Sequence, residues 1–337
     1  MRALLVAAPG NVEVTDIAAP IPADDEVLVA PLISGLCGTD LELIDGSIDP
    51  LYARYPLVLG HEWAGELLGD VEGIAKAGDH VVVEGIIACG TCFECQSHNS
   101  NRCTIYDEIG FTRAGGIAER IAVPARLVHR LETDVDTEDA LLIEPMAVVW
   151  RALTRIPLSA GRSVAVVGDG TVALLAAHLV QLFDPSSTTM IGCRPAQERL
   201  AREAGASTCL PDTPGERFDL VIEAAGTGPA ACSALSLVAR GGIVVLLGLP
   251  AHGTTIQIAP GDLVNNDIIL HGSFSYTRDA WADVVRHVNA RQLTPSFLIT
   301  HRFGLEKATD AIATLDGSRD RDSPRGKVAI ILPNSSS

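Results

Sequence analysis

Three groups of residues in this 337-residue chain have side chains suited to binding a metal or a cofactor. The first is a cysteine cluster in the segment ACGTCFECQSHNSNRC, at positions 88–103. Four thiolates without a fifth donor suit a closed tetrahedral zinc site, which leaves no position for a substrate. The sequence therefore predicts a structural zinc here, with an iron–sulfur cluster or four unligated cysteines as the alternatives. The four ligands would be Cys89, Cys92, Cys95 and Cys103.

The second group is spread over the segments SGLCGTD, LGHEWAGE and LLIEPMAV. Together these segments supply one soft thiolate, one imidazole and one or two carboxylates. A catalytic zinc needs three protein ligands and one open position, so they could form a second, open site. Each segment alone is also compatible with ordinary core or surface residues. The residues concerned are Cys37, Thr39, Asp40, His61, Glu62 and Glu144.

The third group follows an apolar run at 163–167, which is predicted to be a strand leading into a helix. The pattern G-x-G-x-x-A between them is typical of dinucleotide-binding turns. Gly168 permits the tight turn, Gly170 lets the backbone approach a pyrophosphate, and Ala173 is small enough for close helix–strand packing. Amides at the start of the helix would hold the anion. These amides lie near Thr171 and Val172.

The end of the next strand, in TTMIGCRPAQERL, bears on the choice between NAD and NADP. A carboxylate at this position would bind the adenine ribose hydroxyls and repel a 2′-phosphate. Here Gly192 leaves room, Cys193 is neutral, and Arg194 can bind a phosphate through two N–H groups. Arg199 is a second, weaker candidate. We therefore predict that NADP is preferred over NAD.

Short apolar strands alternate with helices through this region, in FDLVIEAAG, GPAACSALSLV, GGIVVLLGLP and DIILHGSF. This alternation predicts an α/β fold with a doubly wound parallel sheet. Ligands of such sheets lie at the carboxyl ends of the strands. Backbone neighbours of the dinucleotide are therefore expected at Ala224, Leu247, Gly248, Ser273 and Phe274.

Over essentially its whole length, the chain resembles zinc-dependent medium-chain dehydrogenases, especially those acting on polyols, sugars and aminocyclitols. Five segments carry the resemblance in the family's order: GLCGTDLELIDG, PLVLGHEWAGE, CGTCFECQSHNSNRC, GFTRAGGIAERIAVP and EPMAVVWRAL. The resemblance implies a GroES-like, β-rich catalytic domain formed by 1–143 and 276–337, and a Rossmann domain at 144–275. It also implies an active site in the cleft between them.

Ligand roles follow from this resemblance. It implies that Cys37, His61 and Glu144 bind the catalytic zinc. Glu62 would be an alternating or water-linked fourth ligand. Asp40 would orient His61 through the ring nitrogen that does not bind the metal.

The resemblance also implies a proton relay, in which Thr39 passes the substrate proton towards the nicotinamide ribose. Many relatives complete this relay with a histidine five residues after the cysteine ligand, where this chain has Glu42. Either Glu42 accepts the proton or the relay continues through water. Glu144 stands where ethanol-type enzymes have a cysteine, and a harder oxygen ligand fits the polyol and sugar branch.

The expected activity is hydride transfer between NADP(H) and a secondary alcohol or ketone of a polyol, sugar or aminocyclitol. Zinc would act as the Lewis acid on the substrate oxygen. Residues near 47–54, 108–113 and 276–281 are expected to shape the substrate site. One alternative is a simple aliphatic alcohol or aldehyde dehydrogenase on the same scaffold. Another is a zinc- and nucleotide-binding protein without turnover.

The composition narrows the partners. A net charge of −17 opposes binding to nucleic acid. No apolar stretch reaches the roughly 18 residues that span a bilayer, and the first residues make a poor signal peptide, so a cytoplasmic location is expected. We expect a small-molecule substrate and a homodimer or homotetramer. Cys193, Cys209 and Cys232 are interpreted as small buried hydrophobes.

Overall fold

The structure, a computed structural model, describes residues 1–212, 214–319 and 322–333. The chain divides into two compact units. One contains residues 1–144 with the described parts of 277–319 and 327–333, and the other contains Pro145–Tyr276 with Asp322–Gly326. The predicted boundaries differ from this division because Glu144 falls in the first unit, and Tyr276 and the segment 322–326 fall in the second. There the Gln197 side-chain amide donates to the Arg325 carbonyl, and its oxygen accepts from the Arg325 amide, both at 2.7 Å.

The strands of the two units are defined in chain order. They are β1 (Arg2–Ala8), β2 (Asn11–Asp16), β3 (Glu26–Leu36), β4 (Leu57–Val58), β5 (Glu62–Leu67), β6 (His80–Val83), β7 (Ile121–Pro124), β8 (Val128–Arg130), β9 (Ser163–Val167), β10 (Ser187–Ile191), β11 (Thr208–Leu210), β12 (Phe218–Glu223), β13 (Val238–Leu246), β14 (Ile269–Gly272), β15 (Ile299–Gly304) and β16 (Lys327–Ile331).

The α-helices are shorter on average than the typical three turns. They are α1 (Gly38–Asp45), α2 (Phe93–Gln96), α3 (Thr137–Leu141), α4 (Ile143–Thr154), α5 (Thr171–Leu179), α6 (Glu198–Glu203), α7 (Gly228–Leu237), α8 (Pro260–Asn265), α9 (Arg278–Asn289) and α10 (Ala308–Leu315). None of the described helices is long and apolar enough to cross a membrane.

In the first unit, the long strand β3 is central to the larger sheet. The strand order is β15-β16-β3-β5-β6-β8, and β7 also pairs with β3. β3 is almost entirely buried and is antiparallel to both β5 and β16. Strands from distant parts of the sequence therefore flank β3, and side chains from both flanks can meet over it.

In the second unit, the described strands form one parallel sheet with the order β11-β10-β9-β12-β13-β14. The β9 sequence SVAVV is apolar and mostly buried, as expected for a strand covered on both faces. Because all strands run in the same direction, the turns after β9, β10, β12 and β13 lie at one edge. This edge contains the predicted cofactor-binding residues.

One interpretation of the isolated cysteines is wrong. Cys193 is buried and Cys209 is partly buried, but Cys232 is exposed. Cys232 lies on α7, on the exposed face that it shares with Pro229 and Ser236 at spacings of three and four residues. Its apolar neighbours in the sequence concealed this helical periodicity.

Candidate active site and metal centres

The structure brings the four clustered cysteines together. The Sγ atoms of Cys89, Cys92, Cys95 and Cys103 all lie within 4.8 Å of one another, and none is in a disulfide. Short elements position them, because Cys92 precedes α2 and Cys103 ends a 3-10 turn at Ser100–Arg102. Gly90, with a φ of +73°, turns the chain between the first two ligands, a conformation that suits glycine.

The donor set of this cluster fits zinc. A zinc ion with four Zn–S bonds of about 2.3 Å separates its sulfurs by about 3.8 Å, and the Cys89 and Cys95 Sγ atoms are 3.9 Å apart. Amides of Thr91 and Cys92 donate to the Cys89 Sγ at 3.5 and 3.4 Å. These bonds favour the thiolate and lower the pKa of Cys89 to about 5. Burial instead raises the pKa of Cys95 to about 12, so a cation is needed to hold all four sulfurs as thiolates.

A second group of ligand atoms forms in the first unit, from Cys37, His61 and Glu62. One donor atom from each lies within 4.8 Å of the other two. Cys37 immediately precedes α1, and His61 and Glu62 stand at the start of β5. His61 and Glu62 are buried, whereas Cys37 is partly exposed. A thiolate, an imidazole and a carboxylate with one accessible side fit an open zinc site.

Asp40 connects the cysteine and histidine of this group. Its Oδ2 accepts a hydrogen bond of 2.8 Å from the Cys37 amide, and its Oδ1 lies 3.6 Å from His61 Nδ1. Asp40 is fully buried and its charge raises the pKa of His61 against the opposing effect of burial. The contact at Nδ1 leaves Nε2 for a metal, as expected for a metal-binding histidine. Thr39 lies on the accessible side, with Oγ1 3.8 Å from the Cys37 Sγ.

Lys327 is a buried member of this site that sequence reasoning missed. Its ammonium forms an ion pair with Glu62 Oε2 and donates to the Leu36 carbonyl at 3.3 Å. Glu62 and Lys327 reach each other across β3, where Gly35 is the strand partner of Glu62. A Cβ at Gly35 would stand 2.4 Å from Glu62 Oε2. The glycine therefore makes room for the ion pair.

Glu144 lies beside this group rather than in it. It occupies the first turn of α4, and its carboxylate interacts electrostatically with His61, Glu62 and Lys327. Burial is the main cause that raises the pKa of Glu144 to about 8, and the charge of Glu62 adds to it. Glu62, the implied fourth ligand, is thus among the grouped ligand atoms, whereas Glu144 is not, and its role as a zinc ligand stays a prediction.

The predicted dinucleotide turn borders a cavity of about 490 Å³ in the second unit. The turn that links β9 to α5 forms one wall, and the turns after β10 and β12 form others. Amides of Thr171 and Val172 open α5 directly after Gly170. Among the predicted cofactor-binding residues, Gly168, Gly170 and Ala224 line this cavity.

Other predicted cofactor residues lie at the same sheet edge but outside the cavity lining. Cys193 is buried, and its amide donates to the Leu210 carbonyl at 3.2 Å. Leu247 and Gly248 follow β13, where both amides donate to the Glu223 carbonyl. The remaining two, Ser273 and Phe274, follow β14 and accept hydrogen bonds from Arg151 at 3.4 Å.

Arg194 is partly exposed and is held by Asp169 of the glycine turn. Its Nε donates to Asp169 Oδ2 at 2.8 Å, and its backbone amide donates to the same oxygen at 3.0 Å. Arg199 lies on the exposed face of α6 and pairs with Glu203 at 2.6 Å. The structure thus places Arg194 at the glycine turn and Arg199 in a surface ion pair of its helix.

Glu223 is a second buried residue that sequence reasoning missed. It ends β12, and Oε1 accepts hydrogen bonds from the Ala225 and Gly226 amides at 2.9 and 2.8 Å. Burial raises the pKa of Glu223, whereas these amides oppose the rise. Only one feature of the sequence indicates that Glu223 accepts these backbone hydrogen bonds. It is a carboxylate at the end of an otherwise apolar strand, in LVIEAAG.

The segment 276–281, which was expected to shape the substrate site, contributes mainly buried side chains to the protein interior. Tyr276 and Trp281 are each only 2% exposed. Trp281 lies on the buried face of α9, the most amphipathic of the described helices. By contrast, segment 47–54 is mostly exposed, and segment 108–113 contains Phe111, whose ring lies 5.1 Å from that of His61.

Two family comparisons cover most of the chain. Residues 23–133 match the alcohol dehydrogenase GroES-like domain family. Residues 137–319, more than half of the chain, match the family described as glucose dehydrogenase C-terminus.

Individual proteins agree with these matches. The chain is 32% identical over 320 residues to L-galactonate-5-dehydrogenase of Escherichia coli K12, covering 90% of this chain and 89% of the relative. A zinc-binding dehydrogenase of Sinorhizobium meliloti 1021, solved with NADP bound, superposes with a TM-score of 0.89 at 28% identity, covering 98% of each chain. Galactitol-1-phosphate dehydrogenase of Escherichia coli gives 0.86 at 28% identity, covering 98% of this chain and 100% of that one. The predicted fold class, a GroES-like unit with a doubly wound parallel-sheet unit, is confirmed.

Proposed function

Because the chain belongs to the zinc-dependent medium-chain family of alcohol dehydrogenases, we propose that it oxidises a secondary hydroxyl of a polyol, sugar or aminocyclitol with NADP, or catalyses the reverse reduction. As a member of this family, it is an oxidoreductase that uses zinc and a nicotinamide cofactor. The names of the relatives L-galactonate-5-dehydrogenase and galactitol-1-phosphate dehydrogenase support a polyhydroxylated substrate.

The main observation behind the proposal is the open ligand group of Cys37, His61 and Glu62 beside the Thr39 hydroxyl. The four-cysteine cluster is closed, so we assign it a second, structural zinc. A zinc ion in the open group supplies a Lewis acid that lowers the pKa of a substrate hydroxyl, and the nicotinamide supplies the hydride acceptor. Of these two zinc ions per chain, one stabilises the structure and the other takes part in the reaction.

The side chains around the open group have separate tasks. Asp40 holds the Cys37 backbone by accepting a hydrogen bond from its amide, and its Oδ1 lies 3.6 Å from His61 Nδ1, where its charge can orient the ring once the metal is bound. Thr39 Oγ1 stands where it can accept the proton of the substrate hydroxyl. Glu42, one turn further along α1, is partly buried, and burial raises its pKa. A carboxylate with a raised pKa is a suitable acceptor for that proton near neutral pH.

Arg194 supports the preference for NADP. The strand β10 ends without a carboxylate at the position that would bind the adenine ribose hydroxyls, and Arg194 follows instead. The ion pair with Asp169 uses Nε of the guanidinium. No residue that the structure describes is hydrogen-bonded to its two terminal nitrogens, so these can bind a 2′-phosphate through paired N–H groups.

We further propose a homodimer formed through the edge of the second sheet. β14 is the last strand of the parallel sheet, so one side of its backbone lacks a strand partner in the described sheet. Ile269 on this strand and Val264 on the preceding helix are 46% and 79% exposed. An exposed apolar edge strand favours pairing with a second copy around a two-fold axis. Pairing of two dimers would give a tetramer.

The cysteine cluster supports a cytoplasmic location. Cysteines that bind a metal must stay out of disulfides, and they do so in a reducing compartment, where disulfides are uncommon.

A substrate panel tests the proposed activity. Purified zinc-loaded protein is assayed with pentitols, hexitols, cyclitols and simple secondary alcohols, each with NADP and NAD. Turnover of a polyhydroxylated alcohol, higher kcat/KM with NADP, and loss of turnover after chelation are expected. A preference for aliphatic alcohols would favour the simple alcohol dehydrogenase. No turnover with either cofactor would leave a zinc- and nucleotide-binding protein.

A further inference from the structure

A loop at 106–113 packs directly against the segment that contains His61. A Cβ added at Gly110 would stand 2.9 Å from the Gly60 carbonyl carbon and 3.0 Å from the His61 amide nitrogen. The rings of Phe111 and His61 are 5.1 Å apart between centroids. The loop therefore forms part of the wall around the open ligand group.

Glu108 is the acidic residue of this loop whose carboxylate interacts electrostatically with His61. Its carboxylate accepts a hydrogen bond from the Tyr106 hydroxyl. Its amide donates to Thr112 Oγ1 at 2.7 Å, which fixes the backbone. The carboxylate interacts electrostatically with both His61 and Glu144. The Tyr106 ring meets Tyr52 edge-on at 5.0 Å, so both aromatic rings restrict the position of this hydrogen bond.

No lysine or arginine among the described residues forms an ion pair with Glu108, and the neighbouring His61 is neutral when it binds zinc. Lys327 pairs with Glu62. Arg113, on the same loop, pairs with Asp107 at 2.8 Å and with Glu26 at 2.7 Å. Arg54 donates its backbone amide to the Phe111 carbonyl, and this residue is exposed.

The remaining charges of the site do not reverse this balance. A zinc dication is offset by the Cys37 thiolate and one carboxylate, and Asp40 contributes a further negative charge beside His61. Around the open ligand group, the wall therefore has more hydrogen-bond acceptors than donors and more negative than positive charge. A bound molecule that donates a hydrogen bond would satisfy Glu108, whereas an anionic group would be repelled.

We propose that Glu108, held by Tyr106, is a specificity-determining residue that accepts a hydrogen bond from a hydroxyl or ammonium group next to the reacting carbinol. This inference rests on the proposed alcohol dehydrogenase activity. It narrows the substrate to polyols without a negative charge, either neutral or amino-substituted. The galactonate and galactitol-1-phosphate named for two relatives carry an anionic group, so this chain differs from those relatives in substrate charge.

The test compares substrates with one carbon chain and different end groups: sorbitol, 1-amino-1-deoxysorbitol, gluconate and sorbitol 6-phosphate, with 2-butanol as an alcohol lacking a second donor. If another polyol is turned over faster, its own amino, acid and phosphate derivatives replace these. The variants are Glu108→Gln and, as a matched control, Glu72→Gln, which removes an equal charge at an exposed position. Zinc content and melting temperature are measured for each. Ligand affinity is also measured by calorimetry on zinc- and cofactor-loaded protein.

Wild-type protein is expected to favour the neutral or amino polyol over the acid and phosphate. Glu108→Gln should lower kcat/KM for that polyol about 10- to 100-fold, since a hydrogen bond to a charged acceptor is lost. Its affinity for the polyol should fall in parallel. The variant should barely change turnover of 2-butanol, and it should improve the relative rate with the anionic derivatives. Glu72→Gln should leave all of these values unchanged.

Three results would overturn the inference while leaving the dehydrogenase activity in place. They are a wild-type preference for the acid or phosphate, equal losses on polyol and 2-butanol in Glu108→Gln, and equal effects of the two substitutions. A wild-type protein that oxidises no alcohol with either cofactor would instead refute the proposed function itself. Sorbitol and its amino derivative are compared in rate and affinity. If sorbitol gives the higher values, the donor is a hydroxyl group, and if the amino derivative does, the donor is an ammonium group.

Discussion

At the scale of single residues, Glu62 takes part in two competing interactions. It belongs to the group of ligand atoms with Cys37 and His61, and it also forms a buried ion pair with Lys327. A lysine that holds the carboxylate reduces its availability to a metal. The ion pair also compensates for burying a charge at a position where Glu62 is 1% exposed.

Replacement of Lys327 tests this arrangement. Lys327→Met leaves the Glu62 carboxylate buried without its partner, which is expected to lower the free energy of unfolding by about 3–5 kcal/mol in zinc-free protein. Added zinc should restore part of the loss, because Glu62 can then bind the ion. Urea denaturation with and without zinc measures both effects. Lys307→Met, at an exposed position, is the control, and similar losses in the two variants would contradict the role of the pair.

The Thr39 hydroxyl gives a second residue-scale prediction. Thr39→Val keeps the shape but removes the proton acceptor, so kcat is expected to fall about 100-fold with zinc content unchanged. Thr39→Ser should retain most of the activity. Steady-state kinetics and metal analysis check these outcomes. A valine variant with wild-type kcat would show that the proton leaves by another route.

At the scale of elements, the segment at 88–103 has little hydrophobic core of its own. α2 contains no buried residue, and Phe93 is 79% exposed. Its attachments to the N-terminal end of α9 are polar. The Arg278 amide donates to Ser100 Oγ at 2.9 Å, and His98 Nδ1 lies 3.0 Å from Asp279. Order in this segment therefore depends mainly on the four sulfurs and the ion that they hold.

Loss of one sulfur ligand should unfold this segment without unfolding the unit. Cys95→Ser is expected to release one zinc per chain and to abolish hydrogen-exchange protection at 88–103, while strands such as β5 stay protected. Mass spectrometry of exchange and metal analysis measure these effects. The exposed Cys232→Ser is the matched control. Equal protection of the segment in both variants would argue against a metal-dependent fold.

The attachment of α3 to β15 predicts a pH effect on stability. Arg302 donates to both carboxylate oxygens of Glu138 at 2.6 Å and lowers the pKa of Glu138 below its usual value of 4.5. A carboxyl group with a depressed folded-state pKa stabilises the fold above the unfolded pKa. This contribution disappears as the pH falls through the folded value.

Glu138→Gln should therefore cost about 1 kcal/mol or less at neutral pH, since the pair is partly exposed. The difference from wild type should shrink as the pH falls below 4.5 and vanish once Glu138 is protonated in the folded protein. Chemical denaturation at several pH values measures it, with the exposed Glu13→Gln as the control. A difference that persists unchanged in acid would mean that the lost contact is not electrostatic.

At the scale of the whole molecule, the sequence was most informative where ligands are close together along the chain. The spacing of Cys89, Cys92 and Cys95 and the turn at 168–170 identify short structures whose geometry depends on neighbouring residues. The structure indeed brings the four sulfurs together and places the glycine turn beside a cavity. Such local patterns restrict the backbone directly, so they can be recognised without knowing the rest of the fold.

Residues whose roles depend on strand pairing could not be found in this way. Lys327 reaches Glu62 across 265 residues of sequence because β16 and β5 flank β3. Glu108 interacts electrostatically with His61 only because its loop packs on Gly60. Glu144 was a candidate ligand from its residue type, and the resemblance assigned it to the catalytic zinc, but its place beside the group depends on the start of α4. In each case the interacting residues are far apart in the sequence, so their contact becomes visible only in the tertiary structure.

The pairing of β3 with β16 has a consequence for the order of events during protein synthesis. Lys327 contacts the Leu36 carbonyl, 291 residues earlier in the chain. A ribosome translating this message will therefore have released the cysteine cluster and the whole parallel sheet before the last partner of Glu62 emerges. Zinc that enters the open group early would meet an uncompensated Glu62, so mature coordination there must be among the final steps of biogenesis.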